Sequence, residues 1–172
     1  NRRLQEAALT DPLTGFPNRR YVIERLEQEW AASLRSKRSL ACMVVDLDAF
    51  KPINDRYGHD IGDIVLKQAA QALKRGLRTP DVVARMGGDE FAVLLPDTDE
   101  AGARLLAGQM HALLQGQQDP QHPRLTLTIG AAAAEAGQLA MASELLDLAD
   151  RALYRGKTRG RNCTVAASEL AG

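Results

Sequence analysis

Apolar positions along the chain switch between the spacing of a helix face and the short runs of a strand. Ile23, Leu26, Trp30 and Leu34 recur every three or four residues, and Asn18 just ahead is a good N-cap, so a helix is predicted to about Leu34. Leu40–Leu47 is apolar and partly β-branched, which predicts a buried strand. A short helix follows near residues 51–56. A longer one starts near Asp60, with Ile61, Val65, Ala69 and Leu73 on one face. Residues 82–86 and 90–95 read as two strands joined at Gly87-Gly88-Asp89, where glycine supplies positive φ at little cost. Leu106, Met110, Leu113 and Leu114 mark a further helix, followed by a polar loop over 116–123 and a strand over 125–133 in which Leu, Ile and Thr alternate. Leu145, Leu148, Ala149, Ala152 and Leu153 mark a last helix ending near 156–160, and Cys163–Ala166 is a candidate edge strand. The order αβααββαβαβ, with its internal hairpin, predicts an α+β fold: a central mixed or antiparallel sheet of about five strands ringed by helices.

Composition adds exclusions. At 172 residues the chain suits one domain with a sizeable core. Zero net charge gives no bulk electrostatic case for nucleic acid polymers or acidic membranes, so any anion must be held by local clusters. Cys42 and Cys163 lie in apolar stretches without ligand spacing, which predicts buried free thiols and a reducing compartment. No apolar run approaches the ~18 residues of a membrane span, and a cytoplasmic location is expected. Residues 1–10 are polar and helix-prone, read as a linker stub, with the domain proper over 11–172 and any sensor or anchor elsewhere.

Two constellations carry chemistry. Asp46-Leu47-Asp48 ends the first predicted strand, and carboxylates two apart on a strand share a face. Alone, the triplet fits a solvated strand end better. Gly87-Gly88-Asp89-Glu90-Phe91, with Arg85 two residues ahead, sets carboxylates on a hairpin whose glycines allow close backbone approach to a ligand. Six specified residues in this pattern defeat the plain-hairpin reading.

The run Arg85-Met-Gly-Gly-Asp-Glu-Phe91 resembles the signature of the GGDEF family, the bacterial diguanylate cyclases. Asp11-Pro-Leu-Thr-Gly-Phe-Pro-Asn-Arg-Arg20 is similar to its opening motif. Asp46-Leu-Asp-Ala-Phe-Lys-Pro-Ile-Asn-Asp55 and Gly58-His-Asp-Ile-Gly-Asp63 are similar to its substrate-binding stretch. Ala152-Leu-Tyr-Arg-Gly-Lys157 and Gly160-Arg-Asn162 resemble its closing motif. The resemblance implies a sheet related to the adenylyl cyclase and polymerase palm, with a ferredoxin-like core. It also implies condensation of two GTP into cyclic di-GMP by a homodimer, with two Mg²⁺ or Mn²⁺ per active site.

By the same resemblance, Asp46, the Leu47 carbonyl and Asp89 hold metal, and Asp89 or Glu90 takes the 3′-hydroxyl proton. Backbone N–H groups around Ala49, Phe50 and Lys51, together with Gly87, Gly88, Lys157 and Arg161, hold phosphates. Asn54 and Asp63 read guanine, whose adjacent N1–H and N2–H₂ donors suit a carboxylate. Bare of that context, Asn54 and Asp63 are equally turn and cap residues, and Lys157 and Arg161 are cations suited to a helix C-terminus. His59 either touches substrate or is structural. Arg78-Thr-Pro-Asp81 resembles the family's product-inhibition site. The bare pattern also fits Arg78 capping a helix and Asp81 starting a strand, but its placement, with five residues between Asp81 and Gly87, favours the site. Three positions depart from the family pattern: Thr128 for serine, Gly156 for alanine, and Phe16 for leucine. Gly156 is expected to loosen the last helix and the aim of Lys157. The alternatives are an inactive GTP or cyclic di-GMP binding module and a purely structural dimerisation domain.

Overall fold

Asn18 opens the first helix of the computed structural model, which describes residues 8–171: its side chain accepts from Tyr21 N at 3.1 Å. The helix, α1 (Arg19–Ser36), buries Val22, Leu26, Trp30 and Ser33. This corrects the expected stripe, because Ile23 and Leu34 lie on the exposed side. Val22 and Ile23 are adjacent apolar residues and either could anchor the face. Ser33 is admitted to the interior because its hydroxyl donates to Trp30 O at 2.7 Å.

The remaining elements are β1 (Leu40–Leu47), α2 (Phe50–Tyr57), α3 (His59–Arg75), β2 (Val82–Gly87), β3 (Glu90–Pro96), α4 (Glu100–Gln117), β4 (Leu127–Ala134), α5 (Ala142–Thr158) and β5 (Cys163–Ala166), followed by a 3₁₀ turn (Ala167–Ala171). The predicted order holds. The strand expected from 125 begins at Leu127, and Leu125 is buried ahead of it. The linker stub expected over 1–10 lies largely outside the described residues. Cys42 is buried and Cys163 half-buried, both free, so the expected burial holds for Cys42 alone.

The five strands lie in the order β2-β3-β1-β4-β5. All neighbours are antiparallel except β4 and β5, which makes the sheet mixed. β1 is central, and successive side chains point to opposite faces. Ala41, Met43, Val45 and Leu47 pack with α2, α3 and α4, while Leu40, Cys42 and Val44 pack with α1 and α5. Asp46 continues the second set, so β1 delivers a carboxylate to the α1/α5 face.

Two glycines bring α5 down onto β4. A Cβ at Gly130 would overlap the backbone of α5 at Ala149 and Leu153. A Cβ at Gly156 would stand 2.7 Å from the Thr128 methyl, closer than carbon atoms pack.

Candidate active site

Asp46 pairs across the ladder with Glu90 on β3 and Thr128 on β4. It is buried, and one carboxylate oxygen forms an ion pair with the Lys157 ammonium of α5. Burying a carboxylate costs several kcal/mol unless cations and hydrogen bonds answer it. Lys157 answers Oδ2, while Oδ1 is buried without a hydrogen-bond partner.

The hairpin brings the second carboxylate. Gly87 (φ 148°) and Gly88 (φ 50°) turn the chain through conformations that side chains rarely adopt, and the ladder slips register between Arg85 and Gly87. Leu47 N donates to Asp89 O at 3.1 Å, tying the turn to the end of β1. Burial, then the charge of Asp46 and a hydrogen bond with it, raise the Asp89 carboxyl above its ordinary range, against the pull of Lys157. Glu90 is raised by burial, then by Asp150 and Asp46, with Lys157 and Arg19 opposing. The structure therefore gathers Asp46, Asp89, Glu90 and Lys157 in one place.

Arg85 holds the turn rather than the acids. Its Nε and Nη2 donate to Gly88 O at 3.1 and 2.8 Å, and its Nη1 donates to Asp11 Oδ1 at 3.2 Å. Asp11 in turn accepts from Thr14 N and Thr14 Oγ1 at 2.9 and 2.8 Å. Burial works to raise the Asp11 carboxyl, but these Thr14 and Arg85 contacts outweigh it and hold the group below its ordinary range. The opening motif is thus a brace for the hairpin tip.

Around the acids stand the other expected residues. Ala49 adopts a left-handed conformation (φ 62°) and starts α2, with Phe50 and Lys51 in its first turn. The Phe50 side chain is buried in the core, so its backbone N–H is what it offers outward. Lys51 and His59 are exposed, and His59 merely opens α3 after Gly58. Neither Asn54 nor Asp63 caps that helix. The Asn54 amide oxygen is buried without a partner against Gly62, where a Cβ would overlap it, and Asp63 follows one residue on. Lys157 lies in the last turn of α5, and Arg161 stands exposed just beyond it (φ 68°).

Three features escaped the sequence reading. Asp48 leaves the acid cluster and accepts from Thr126 Oγ1, Thr128 Oγ1 and Asn162 N at 2.7, 2.6 and 2.9 Å. Asp150 joins the electrostatics of Glu90, and its place seven residues before Lys157, two helical turns, was the available signal. The departures at Thr128 and Gly156 touch each other: the methyl that threonine adds to serine lies where the Cβ that glycine lacks would point. Gly156 is buried, with its bare Cα facing that methyl.

Arg78 and Asp81 stand apart, at the other end of β2. Arg78 Nε and Nη2 donate to Asp81 at 3.1 and 2.8 Å, and Nη2 also reaches Pro96 O and Thr98 Oγ1, each at 2.8 Å. They line a groove of about 400 Å³ with Thr98, Asp99, Leu105 and Gln109. Five residues separate Asp81 from Gly87, which places the motifs about 20 Å apart along the strand.

Among the described residues, no group of three or more His, Cys, Asp and Glu side chains is placed to hold a metal. Two neighbouring carboxylates, one with a buried unpartnered oxygen, nevertheless suit Mg²⁺ or Mn²⁺, since Mg²⁺ takes one or two carboxylates and completes its shell with water and substrate phosphate.

A carboxylate near the end of β1, a second on a bare glycine turn and an opposing lysine mark the candidate site of this α+β domain. The family follows from comparison: residues 8–163 match the model described as "Diguanylate cyclase, GGDEF domain", and the chain belongs to the GGDEF family. It is 43% identical over 163 residues to diguanylate cyclase DgcP of Pseudomonas aeruginosa, covering 92% of this chain and 24% of that protein. It is 38% identical to the response regulator PleD of Caulobacter vibrioides, covering 93% and 36%. The chain thus spans roughly a quarter to a third of these two relatives. Among solved structures, the coiled coil and GGDEF domain of DgcB from Caulobacter crescentus, in complex with c-di-GMP, superposes with a TM-score of 0.88 at 26% identity, covering 96% of this chain and 88% of that one.

Proposed function

We propose that this domain is a diguanylate cyclase that condenses two GTP into cyclic di-GMP and two pyrophosphates. The observation that carries the reading is the meeting of Asp46, near the end of β1, with Asp89 in the β2–β3 turn, a buried Asp46 oxygen being left unpartnered. In the reaction, the 3′-oxygen of one GTP bonds to the α-phosphorus of another, the bond to the β-phosphate breaks, and pyrophosphate leaves. Reciprocal attack closes the ring.

Asp46, the Leu47 carbonyl and Asp89 would hold Mg²⁺ or Mn²⁺, two ions per site, which when bound neutralise the triphosphate. Glu90 or Asp89 accepts the 3′-hydroxyl proton; both carboxyls are raised toward the working pH, which suits a general base. Lys157 exchanges Asp46 for phosphate as substrate enters, beside Arg161, the Phe50 and Lys51 N–H groups, and the bare backbone at Gly87 and Gly88. Asn54 and Asp63 accept from the guanine edge, and His59 stands at the same rim. Each domain holds one GTP, so turnover needs a homodimer. No described helix is long and apolar enough to cross a membrane, which agrees with a cytoplasmic domain joined to sensor or regulatory parts. Arg78 and Asp81 form a product-inhibition site, supported by their groove and by the donors and acceptors they offer a guanine edge.

The test is incubation of purified protein with GTP and Mg²⁺, assayed at concentrations where dimer is present. Cyclic di-GMP supports the enzyme. Bound but unconverted GTP supports a binding module, and the absence of both product and bound GTP supports a structural dimerisation domain.

A further inference from the structure

Asp48 lies two residues past Asp46, is buried, and spends its carboxylate on three donors. Oδ2 takes Thr126 Oγ1 at 2.7 Å and Asn162 N at 2.9 Å, and Oδ1 takes Thr128 Oγ1 at 2.6 Å. Charge-assisted bonds of this kind are the strong ones.

The third donor belongs to an unusual turn. Arg161 (φ 68°) and Asn162 (φ 47°) are consecutive left-handed residues, and neither is glycine. Asparagine adopts this conformation readily but arginine rarely does, so surrounding contacts hold Arg161 in it. Three contacts do so: Arg161 N donates to Gly156 O at 3.0 Å, and Asn162 N is shared between Asp48 Oδ2 at 2.9 Å and Thr128 Oγ1, itself bonded to Asp48, at 3.2 Å. On its other side Asp48 is bonded through the chain to Ala49, the left-handed residue that opens α2. One buried carboxylate therefore joins the helix start that carries Phe50 and Lys51 to the turn that carries Arg161.

We propose that Asp48 is a positioning residue that fixes the spacing between these two elements and aims the Arg161 guanidinium at the polyphosphate of a nucleoside triphosphate. The proposal rests on the nucleotide-binding reading above. Asp48 acts through protein groups alone, its oxygens being occupied by protein donors.

The experiment measures binding of a non-hydrolysable GTP analogue and of guanosine, each with Mg²⁺, to wild type, Arg161→Ala, Asp48→Asn and the double variant. Expected is a loss of about tenfold in the preference for the analogue over guanosine in each single variant. The double variant should be no worse than Arg161→Ala alone. A general loss of structure would weaken both ligands and leave their ratio unchanged. Should Asp48→Asn misfold, Thr126→Val should lower the same ratio and Thr126→Ser should restore it. A wild-type ratio in Asp48→Asn or Thr126→Val, or losses that multiply in the double variant, overturn the assignment while the nucleotide reading stands. No preference for the analogue in wild type overturns that reading and this inference with it.

Discussion

β2 carries an arginine and an aspartate at each end, and the two pairs behave in opposite ways. At its start Arg78 closes on Asp81 three residues later, in a fork that leaves the Asp81 side chain 1% exposed. At its far end Arg85 passes over Asp89 and grips the Gly88 carbonyl and Asp11. The first pair satisfies itself. The second arrangement leaves Asp46, Asp89 and Glu90 to share one lysine, and burial with mutual repulsion raises the carboxyls of Asp89 and Glu90. The site proposed for chemistry lies at the end where polar demand is unmet, and the site proposed for product lies at the end where it is met.

The largest test of that contrast is Asp89→Ala, expected to cut cyclic di-GMP formation by about a thousandfold, as for loss of several kcal/mol of charge stabilisation, with the circular dichroism spectrum unchanged. Retained turnover removes Asp89 from the mechanism. Next, Arg78→Ala should weaken product inhibition by about 10–100-fold while initial rates without product stay at the wild-type level. Unchanged inhibition would leave the Arg78–Asp81 fork a purely structural turn.

Smaller effects probe the braces. Gly156→Ala should destabilise the domain by about 1–3 kcal/mol in chemical unfolding, because the Thr128 methyl blocks the new Cβ and turning it away would pull the hydroxyl off Asp48. Adding Thr128→Ser should recover most of the loss, and a failure to recover would mean the two departures are unrelated. Smallest is the pH dependence of Asp11. Its carboxyl is held below its ordinary value of 3.8, so its contribution is complete above that pH and is lost as pH falls through the lowered value. The stability gap between wild type and Asp11→Asn should therefore be constant near neutrality and close in stronger acid. A gap that persists there would rule out the ionised carboxylate as its source.

Much of this was legible in the sequence. Periodicity and turn signals placed the helices and strands from Arg19 to Ala166, since long apolar stripes and a glycine hairpin are local signals, but not the closing 3₁₀ turn. The inward face of α1 was misjudged because Val22 and Ile23 offer the same stripe one residue apart, and a hydrogen-bonded serine took a core position. Within the site, residue types and spacing singled out Asp89 on its glycine turn, while Asp46 and Lys157 stood out only through the family resemblance. The parting of Asp46 from Asp48 was hidden, because alternation between faces governs a strand only while it continues, and β1 ends at Leu47. The contact of Thr128 with Gly156 was hidden as well: each looked like an isolated departure, and only packing of a helix on a strand makes them one compensated pair.

Gly130 has a mechanical consequence. Where β4 offers bare main chain, α5 rests on the sheet at Ala149 and Leu153, with no side chain to act as a cushion or bearing. A rod seated that low can neither roll nor ride up, so the height at which its far end presents an amine is set a full turn before the tip. Fitting even a single methyl beneath the rod would tilt it and carry that amine off target without altering any group that touches a nucleotide.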